Sequence, residues 1–543
     1  MSVIAEPSPA SSWRSNRAFW LVFAALAAAC LAPIFAHELV VGVDYPTHLS
    51  MLRVLRLWFE DRARFNATYG TRLLQPYWGF YLPTLALSAV MSIDHAAKVV
   101  LAATLVAMPL GLVRVLDEEG LDRRPALLAF PLVYCFSFQW GFAPFLAGLG
   151  VALLSLPEVM RQARAGESGW RQSLVLVAWS LGIFAAHATA WACWAIWAGW
   201  ILLMQRWPPR WRQLLRLAPA FVLPLVLFEM WNRNLQVWGD LAWLRANPQH
   251  HSFLVRRIRF EHVAFAAVDP ETERAFLWLF VVGVVMGLAG GWSRRDGDGW
   301  RIARWGGLAL LFFAGYWVVP PAVGGLDRVY QRGLVFAFFF ALAAGARRPR
   351  FGNAVAALGA LLTLANAGSQ WIVFRQFNSE MQQMRGCLAE ATPGSNLIGL
   401  VGFNKQQLGN QPFFLHVEAY HVEWNLGRVF THSMENLPST PVYPRDLTVF
   451  APGPPPLFNV RPTMLDYGTY ARKTHYFLMR DFDRIHFGGP GPALTAEEIY
   501  FKQWLPNVRQ VCRAGMWRLY ENLPVTRGAP VVVMAPQPSP GGQ

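Results

Sequence analysis

Charge is scarce in this chain. Only 15% of its 543 residues are Asp, Glu, Lys or Arg, where a typical soluble protein carries roughly 25%. Acidic residues are scarcer than basic ones, 33 against 48, which leaves a net charge of +15. Cysteine numbers five, too few for a disulfide scaffold. No P-loop, HExxH, CxxC or GxSxG pattern occurs. The usual signatures of P-loop nucleotide hydrolases, zinc proteases, thioredoxin-like redox proteins and serine hydrolases are therefore missing. No internal repeat of fixed period is visible. The same composition excludes a disordered chain and a fibrous repeat.

What is abundant is apolar surface. Apolar residues make up 54% of the chain, with 25 Trp and 38 Phe, and the mean hydropathy is +0.27. These values predict a polytopic α-helical membrane protein. Apolar runs give about eleven spans, near 18–36, 96–116, 125–141, 142–158, 172–187, 188–204, 215–231, 274–292, 305–322, 332–346 and 352–372. The first, Ala18–Ala36, is long enough to remain a span, so no cleavable signal peptide is expected.

The basic residues do not read as a nucleic-acid surface, because of where they sit. Arg14 and Arg17 precede the first span. Arg123 and Arg124, then Arg161, Arg164 and Arg171, then Arg206, Arg210, Arg212 and Arg216 follow in alternate short loops, as do Arg294, Arg295, Arg301 and Arg304 and finally Arg347, Arg348 and Arg350. Placing all of them in the cytoplasm is consistent with eleven spans, an N-terminus inside and a C-terminus outside. Tyr77–Met91 must then not cross. At fifteen residues with Pro83 inside, it reads as a helix lying in the membrane interface. The alternative is a short true span.

This topology divides the chain into a transmembrane domain over 1–374, an outward α/β domain over 375–535 and a disordered Pro/Gly/Ser-rich tail over 536–543. In the α/β domain, strand-like runs (Asn396–Phe403, His475–Met479, Val511–Leu519) alternate with turn-rich stretches such as Ala451–Pro456 and Phe487–Pro492. Cys30, Cys135 and Cys193 lie in apolar spans. Cys387 and Cys512 share the outward domain, where a disulfide is expected between them. The transmembrane domain carries a long first loop of about 37–95 and a middle loop of about 232–273, both outward.

The candidate chemistry gathers on that outer face. Val43-Asp44-Tyr45-Pro46-Thr47-His48 opens the first loop, and Pro46 suits the first turn of a helix. The helix is amphipathic, with Arg53, Arg56, Glu60 and Arg64 on one face and Leu52, Leu55, Trp58 and Phe59 on another, and is expected to lie along the membrane surface. Asp44 either caps this helix or serves as a proton acceptor. His187 occupies a tight outer turn between two spans, where an ionisable group is either functional or hydrogen-bonded to a neighbouring backbone carbonyl. Arg328 and Arg332, four apart in a short outer loop, run against the charge rule. They suit a phosphate or pyrophosphate ligand, unless Arg328 simply pairs with Asp327. Gln139-Trp140-Gly141 lies at another outer turn, and Glu261, His262 and Asp269 lie in the middle loop. Asp296-Gly297-Asp298 imitates the DxD motif of nucleotide-sugar transferases but sits in a short cytoplasmic loop and reads as a turn. Asn66-Ala67-Thr68 matches a glycosylation sequon by pattern alone.

The chain resembles the polyprenyl-phosphate-dependent (GT-C) membrane glycosyltransferases. The likeness lies in one span followed by a large outer loop, Asp44–His48 just after that span, many further spans and an outward C-terminal domain. Phe138-Gln139-Trp140-Gly141-Phe142 with Phe145-Leu146-Ala147-Gly148, and Pro320-Pro321 ahead of Arg328 and Arg332, resemble uncharacterised bacterial membrane proteins of this type. The resemblance implies a multi-pass enzyme of a bacterial inner (plasma) membrane that inverts the anomeric centre as it moves a sugar from a polyprenyl-phosphate donor to a glycan, lipid or protein acceptor. It makes Asp44 the catalytic base and has the Arg pair hold the donor's phosphate, with His48, His187, Gln139 and Tyr45 as further substrate-binding candidates. Many members show an acidic pair in the first loop where this chain has Asp44 with His48. No metal ligand is assigned, and a divalent ion is left open beside the lipid-linked donor. Two other readings compete: a glycolipid or polysaccharide transporter or flippase, and a non-enzymatic envelope assembly protein. Transporters tend to show repeated halves with polar groups at the bilayer midplane, whereas here the polar groups cluster at one face.

Overall fold

The computed structural model describes residues 13–165, 169–205, 211–237, 259–289, 298–319, 322–323, 326–346, 351–401, 408, 411–429, 440–445, 473–480 and 495–530. Six of its helices contain segments long and apolar enough to cross a membrane: α1 (Trp13–Ala36), α5 (Ile93–Glu118), α7 (Ala143–Ala165), α10 (Trp211–Val237), α12 (Pro270–Ala289) and α15 (Gly352–Leu388). Four shorter apolar helices accompany them: α8 (Trp170–Ala186), α9 (Ala188–Gln205), α13 (Asp298–Val318) and α14 (Val329–Gly345). Their outward faces carry large apolar side chains, among them Leu21, Leu174, Val222, Leu225, Trp278, Leu310 and Leu361, all exposed. Apolar surface on this scale belongs in lipid. The chain is a membrane-embedded helical protein with a C-terminal α/β domain.

One expected span has a different form. Arg124–Tyr134 winds as a 3-10 helix, followed by the four-residue helix α6 (Phe136–Gln139). Pro125 starts the segment and Pro131 sits inside it, and each proline removes a backbone donor and obstructs the preceding turn of an α-helix. Backbone of this kind survives at membrane depth only when protein surrounds it. Residues 125–150 are buried throughout, with α1, α5 and α15 packed around the 3-10 turns. Asn366 Nδ2 donates to the Pro131 carbonyl at 2.8 Å and the Tyr134 hydroxyl to the Cys30 carbonyl at 2.5 Å.

The first loop holds α2 (Tyr45–Glu60), α3 (Arg62–Thr68) and α4 (Trp78–Leu87). At ten residues α4 is about 15 Å long, too short for a hydrocarbon core of roughly 30 Å. Helix α2 is not a free surface helix. Residues Tyr45–Leu52 are all buried, because their apolar stripe finds protein partners in α4, α5 and the C-terminal domain. Its polar face ends in ion pairs of Arg53 and Arg56 with Glu60, 2.7 and 2.6 Å.

The C-terminal domain is built on a five-stranded mixed sheet. Its strands are β2 (Asn396–Val401), β3 (Arg428–Val429), β5 (Tyr476–Arg480), β6 (Val508–Ala514) and β7 (Trp517–Asn522), in spatial order β3-β2-β5-β7-β6. Strand β2 runs parallel to β3 and β5, whereas β7 is antiparallel to β5 and β6. The domain is tied to the rest three times. Helix α15 runs unbroken from the bundle through position 375 to Leu388, under β6 and β7. Strand β1 (Tyr69–Thr71) of the first loop pairs with β4 (Val442–Pro444). Helix α16 (Tyr420–Asn425) packs on α2. Cys387 and Cys512 are disulfide-bonded, with Cα atoms 5.3 Å apart and a sequence separation of 125. The sequence stretches at 402–407, 451–456, 487–492 and 536–543, the Asp296-Gly297 pair and Pro320-Pro321 lie outside the described residues.

Two predictions concern the stability of this domain. A crosslink over a loop of this length contributes about 4–5 kcal/mol in the chain-entropy model. Replacing both cysteines by serine should lower the unfolding midpoint of the domain and speed its proteolysis, and an unchanged midpoint would remove the disulfide as a stabilising element. At the α2–α16 seam, burial and the nearby Asp94 carboxylate push the Glu423 carboxyl well above the usual carboxylate range. A carboxyl raised in the folded state binds more protons folded than unfolded, so its effect is most favourable below the ordinary pKa of about 4.3 and is lost as pH rises through the raised value. Glu423→Gln should therefore flatten the decline of thermal stability as pH rises above the ordinary carboxylate pKa of about 4.3. Parallel declines in the two proteins would refute this.

Candidate functional site

The site begins with backbone. The N–H of Val43 donates to the Gln139 carbonyl and that of Asp44 to the Trp140 carbonyl, both at 2.9 Å. These bonds lay the first residues of the loop against the turn that precedes α7. Gly141 makes the approach possible. Its φ is +75°, and a Cβ there would meet the Tyr45 nitrogen at 2.6 Å and the Asp44 nitrogen at 3.0 Å. Asp44 occupies the N-cap of α2, yet its side chain makes no capping hydrogen bond. One carboxylate oxygen instead lies 3.6 Å from Nε2 of His416, in the C-terminal domain.

The same turn seats the arginines. Arg328 lies with its Cζ 3.3 Å from the centre of the Trp140 ring, and Arg332 with its Cζ 3.9 Å from that of Phe142. Cation–π contacts of this kind gain strength as water is removed, and Arg332 is only 6% exposed. Arg328 is held in the left-handed region, φ 59°. That conformation costs a non-glycine residue about 1–2 kcal/mol and marks a functional constraint more often than chance. Arg332 Nη1 also lies 3.2 Å from His187 Nε2. The Nδ1 of His187 accepts from the backbone N–H of Thr189 at 3.1 Å. The backbone partner of this histidine is therefore an N–H and not the carbonyl expected, while its other ring nitrogen faces Arg332.

Three other expected residues take different places. His48 is buried, with Nδ1 2.6 Å from the Tyr81 hydroxyl. Burial pushes its pKa down to about 3, so it is a neutral partner at physiological pH and not a cation for phosphate. Gln139 donates its amide to the Ala266 carbonyl at 2.6 Å, which makes it a brace of the turn. Tyr45 is buried with its ring 6.4 Å from that of Phe80, and burial, with Asp94 and Glu423 adding to it, pushes its hydroxyl well above the ordinary range.

The middle loop adds a buried imidazole–carboxylate pair. His262, on the short helix α11 (Phe260–Ala264), has Nδ1 2.5 Å from Oε1 of Glu273, while Arg259 Nη2 donates to Oε2 of the same carboxylate at 3.1 Å. Gln411 of the C-terminal domain touches the His262 Nε2, and the His262 ring lies 6.1 Å from that of Phe136. Asp269 caps α12 through the N–H groups of Glu271 and Thr272, at 3.0 and 2.9 Å. Glu273, Gln411 and His416 carry no sequence signal of their own. Among the described residues no group of three or more His, Cys, Asp or Glu side chains is arranged to hold a metal ion.

The opposite ends of the same helices are basic in another way. At the far ends of α5 and α7, Arg161 lies 3.3 Å from Glu118, and Arg164 pairs with the same carboxylate. Arg304 pairs with Glu119. Of the arginines in the short basic loops, Arg161, Arg164 and Arg304 therefore sit at the end of the bundle opposite the Asp44 cluster; Arg206, Arg210, Arg294, Arg295, Arg347, Arg348 and Arg350 lie outside the described residues.

No family model matches this chain, and no curated protein matches it. Among solved structures it is similar to the crystal structure of ArnT from Cupriavidus metallidurans in the apo state. That match covers 96% of this chain and 100% of the other, at 12% identity and a TM-score of 0.43.

The close approach at Gly141 can be tested directly. Gly141→Ala adds a methyl group where backbone already stands and strains a positive φ. It should dislodge the Asp44 turn and raise proteolytic cleavage within residues 42–48, while a distant control, Gly120→Ala, with open space around it, leaves that cleavage unchanged. Equal cleavage in both variants would contradict the proposed seam.

Proposed function

We propose that this protein is a GT-C-type glycosyltransferase that uses a polyprenyl-phosphate-linked sugar and works on the outer face of a bacterial plasma membrane. The observation that carries the reading is the convergence of Asp44, Arg328 and Arg332 on a single turn, 139–145, at one end of a membrane-embedded bundle. The distribution of charge supports the orientation, since the Arg-rich short loops mark the cytoplasmic side and the Asp44 cluster lies at the other.

The chemistry follows from these groups. A hydroxyl of the acceptor gives its proton to the Asp44 carboxylate as its oxygen bonds to the anomeric carbon. The bond from that carbon to the phosphate oxygen breaks, and the electron pair leaves with the polyprenyl phosphate. Arg328 and Arg332 stabilise the charge that grows on the phosphate. Attack from the side opposite the leaving group inverts the anomeric centre. The acceptor class is a hydroxyl-bearing glycan, lipid or protein.

Two measurements test this. Membranes carrying the protein, supplied with radiolabelled polyprenyl-phosphate hexoses and pentoses, should move label out of the lipid donor. Asp44→Asn keeps shape but removes proton acceptance and should slow that step by about 10²–10⁴-fold with donor binding little changed. For the purified protein, Arg332→Ala should weaken binding of polyprenyl phosphate, and Arg332→Lys should restore it only in part because the planar fork is lost. The reading fails if Asp44→Asn transfers at the full rate, or if the wild type neither consumes these donors nor binds polyprenyl phosphate.

A further inference from the structure

His416 lies far from Asp44 in sequence, in the C-terminal domain, and yet its Nε2 is 3.6 Å from the Asp44 carboxylate. The placement is built. Phe413 and Phe414 just ahead of it are buried against Phe377 of α15, and Arg480 of β5 lies with its Cζ 4.4 Å from the centre of the Phe414 ring. The turn 417–419 that follows packs on α2. The same segment sends Gln411 onto His262. Both side chains of the pair are largely enclosed, 11% and 13% exposed.

We infer that His416 is a positioning residue that sets the proton affinity of Asp44, so that the pH dependence of the base is governed by a side chain of the C-terminal domain. This rests on the assignment of Asp44 as the base. At 3.6 Å the contact is an ion pair, longer than a hydrogen bond, and it acts through charge. A protonated imidazole stabilises the Asp44 carboxylate and makes it a poor proton acceptor, whereas a neutral one leaves it a stronger base. Turnover should therefore rise with pH as His416 loses its proton. Other titratable groups surround the pair. Tyr81 on α4 feels the Asp44 charge. His48 lies one turn along α2 and stays neutral. Glu418 is buried two residues beyond His416. Arg328 and Arg332 on α14 stack on the turn whose Trp140 carbonyl holds Asp44. The guanidinium groups stay charged throughout, and neither Tyr81 nor His48 changes charge near neutral pH.

The test uses the full-length purified protein. Diethyl pyrocarbonate modification of each histidine, followed by mass spectrometry over about pH 5–9, reports the pKa of His416 relative to the ordinary value of about 6.5. It should lie above that value in the wild type and fall in Asp44→Asn. Identical values in the two proteins would overturn the pairing. In the donor-consumption assay, His416→Gln should leave the KM for donor unchanged while the acidic limb of the rate profile moves down by about two pH units, toward the carboxylate range. Binding of polyprenyl phosphate at wild-type strength shows that this variant is folded. If Asp44→Asn abolishes turnover and His416→Gln alters neither rate nor profile, the inference fails and the assignment of Asp44 stands. If Asp44→Asn is fully active, the functional assignment itself fails.

Discussion

The arrangement of the site depends on two backbone hydrogen bonds, from Val43 and Asp44 to the carbonyls of Gln139 and Trp140. They fasten the start of the first loop to a turn between a 3-10 segment and α7. Without them Asp44 would sit on the flexible exit of α1, with its direction set by nothing but its own helix. With them, the carboxylate and the aromatic seats of the arginines share one rigid turn. The turn is rigid because everything behind it is buried, from Pro125 to Gly150. The bonds exist only because residue 141 has no side chain. The role proposed for Asp44 requires a position fixed to within a fraction of an ångström, and main-chain bonds anchor its backbone.

The C-terminal domain belongs to the same construction. Helix α15 is a single rod that begins among the membrane helices and ends beneath the sheet. The β1–β4 ladder and the α2–α16 packing hold the domain down at two further points. A domain fastened this way places His416 beside Asp44 and Gln411 beside His262. Charge placement reinforces the division of labour. Carboxylates pair with the arginines at the far end of the bundle, and at the near end Arg328 and Arg332 lie on aromatic faces.

Much of this was legible in the sequence, for reasons that can be named. Asp44 and the two arginines stand out because ionisable groups at the ends of apolar runs are costly and therefore few. The helical membrane class follows from composition and the length of the runs. The 3-10 segment was not legible, since Pro125 and Pro131 lie in a run as apolar as any span, and hydropathy does not see backbone donors. The surface helix expected at α2 became a covered one because amphipathicity shows only that a stripe will be buried, not whether lipid or protein covers it. Tyr45 and His48 were grouped with Asp44 by adjacency, but successive residues of a helix point in different directions, and the structure turns them toward Phe80 and Tyr81. His416 had no signal at all. Nothing in local pattern connects it with Asp44, and only the tertiary path of α15 and the sheet brings the two together.

The seating of the arginines also bears on what kind of ligand the cleft accepts. A guanidinium stacked by its face on Trp140 or Phe142 has its plane fixed, so its N–H groups point along defined directions. The left-handed backbone at Arg328 fixes where that plane starts. A phosphate has oxygens that can meet such a fork in two parallel hydrogen bonds, whereas a diffuse anion gains little from the geometry. The neutral, buried His48 contributes no competing charge. Arg328 and Arg332 are the cations seated on the shelf formed by residues 139–145. A lipid-linked phosphate reaching that shelf from the membrane side would meet cations there and find the Asp44 carboxylate anchored to the same turn.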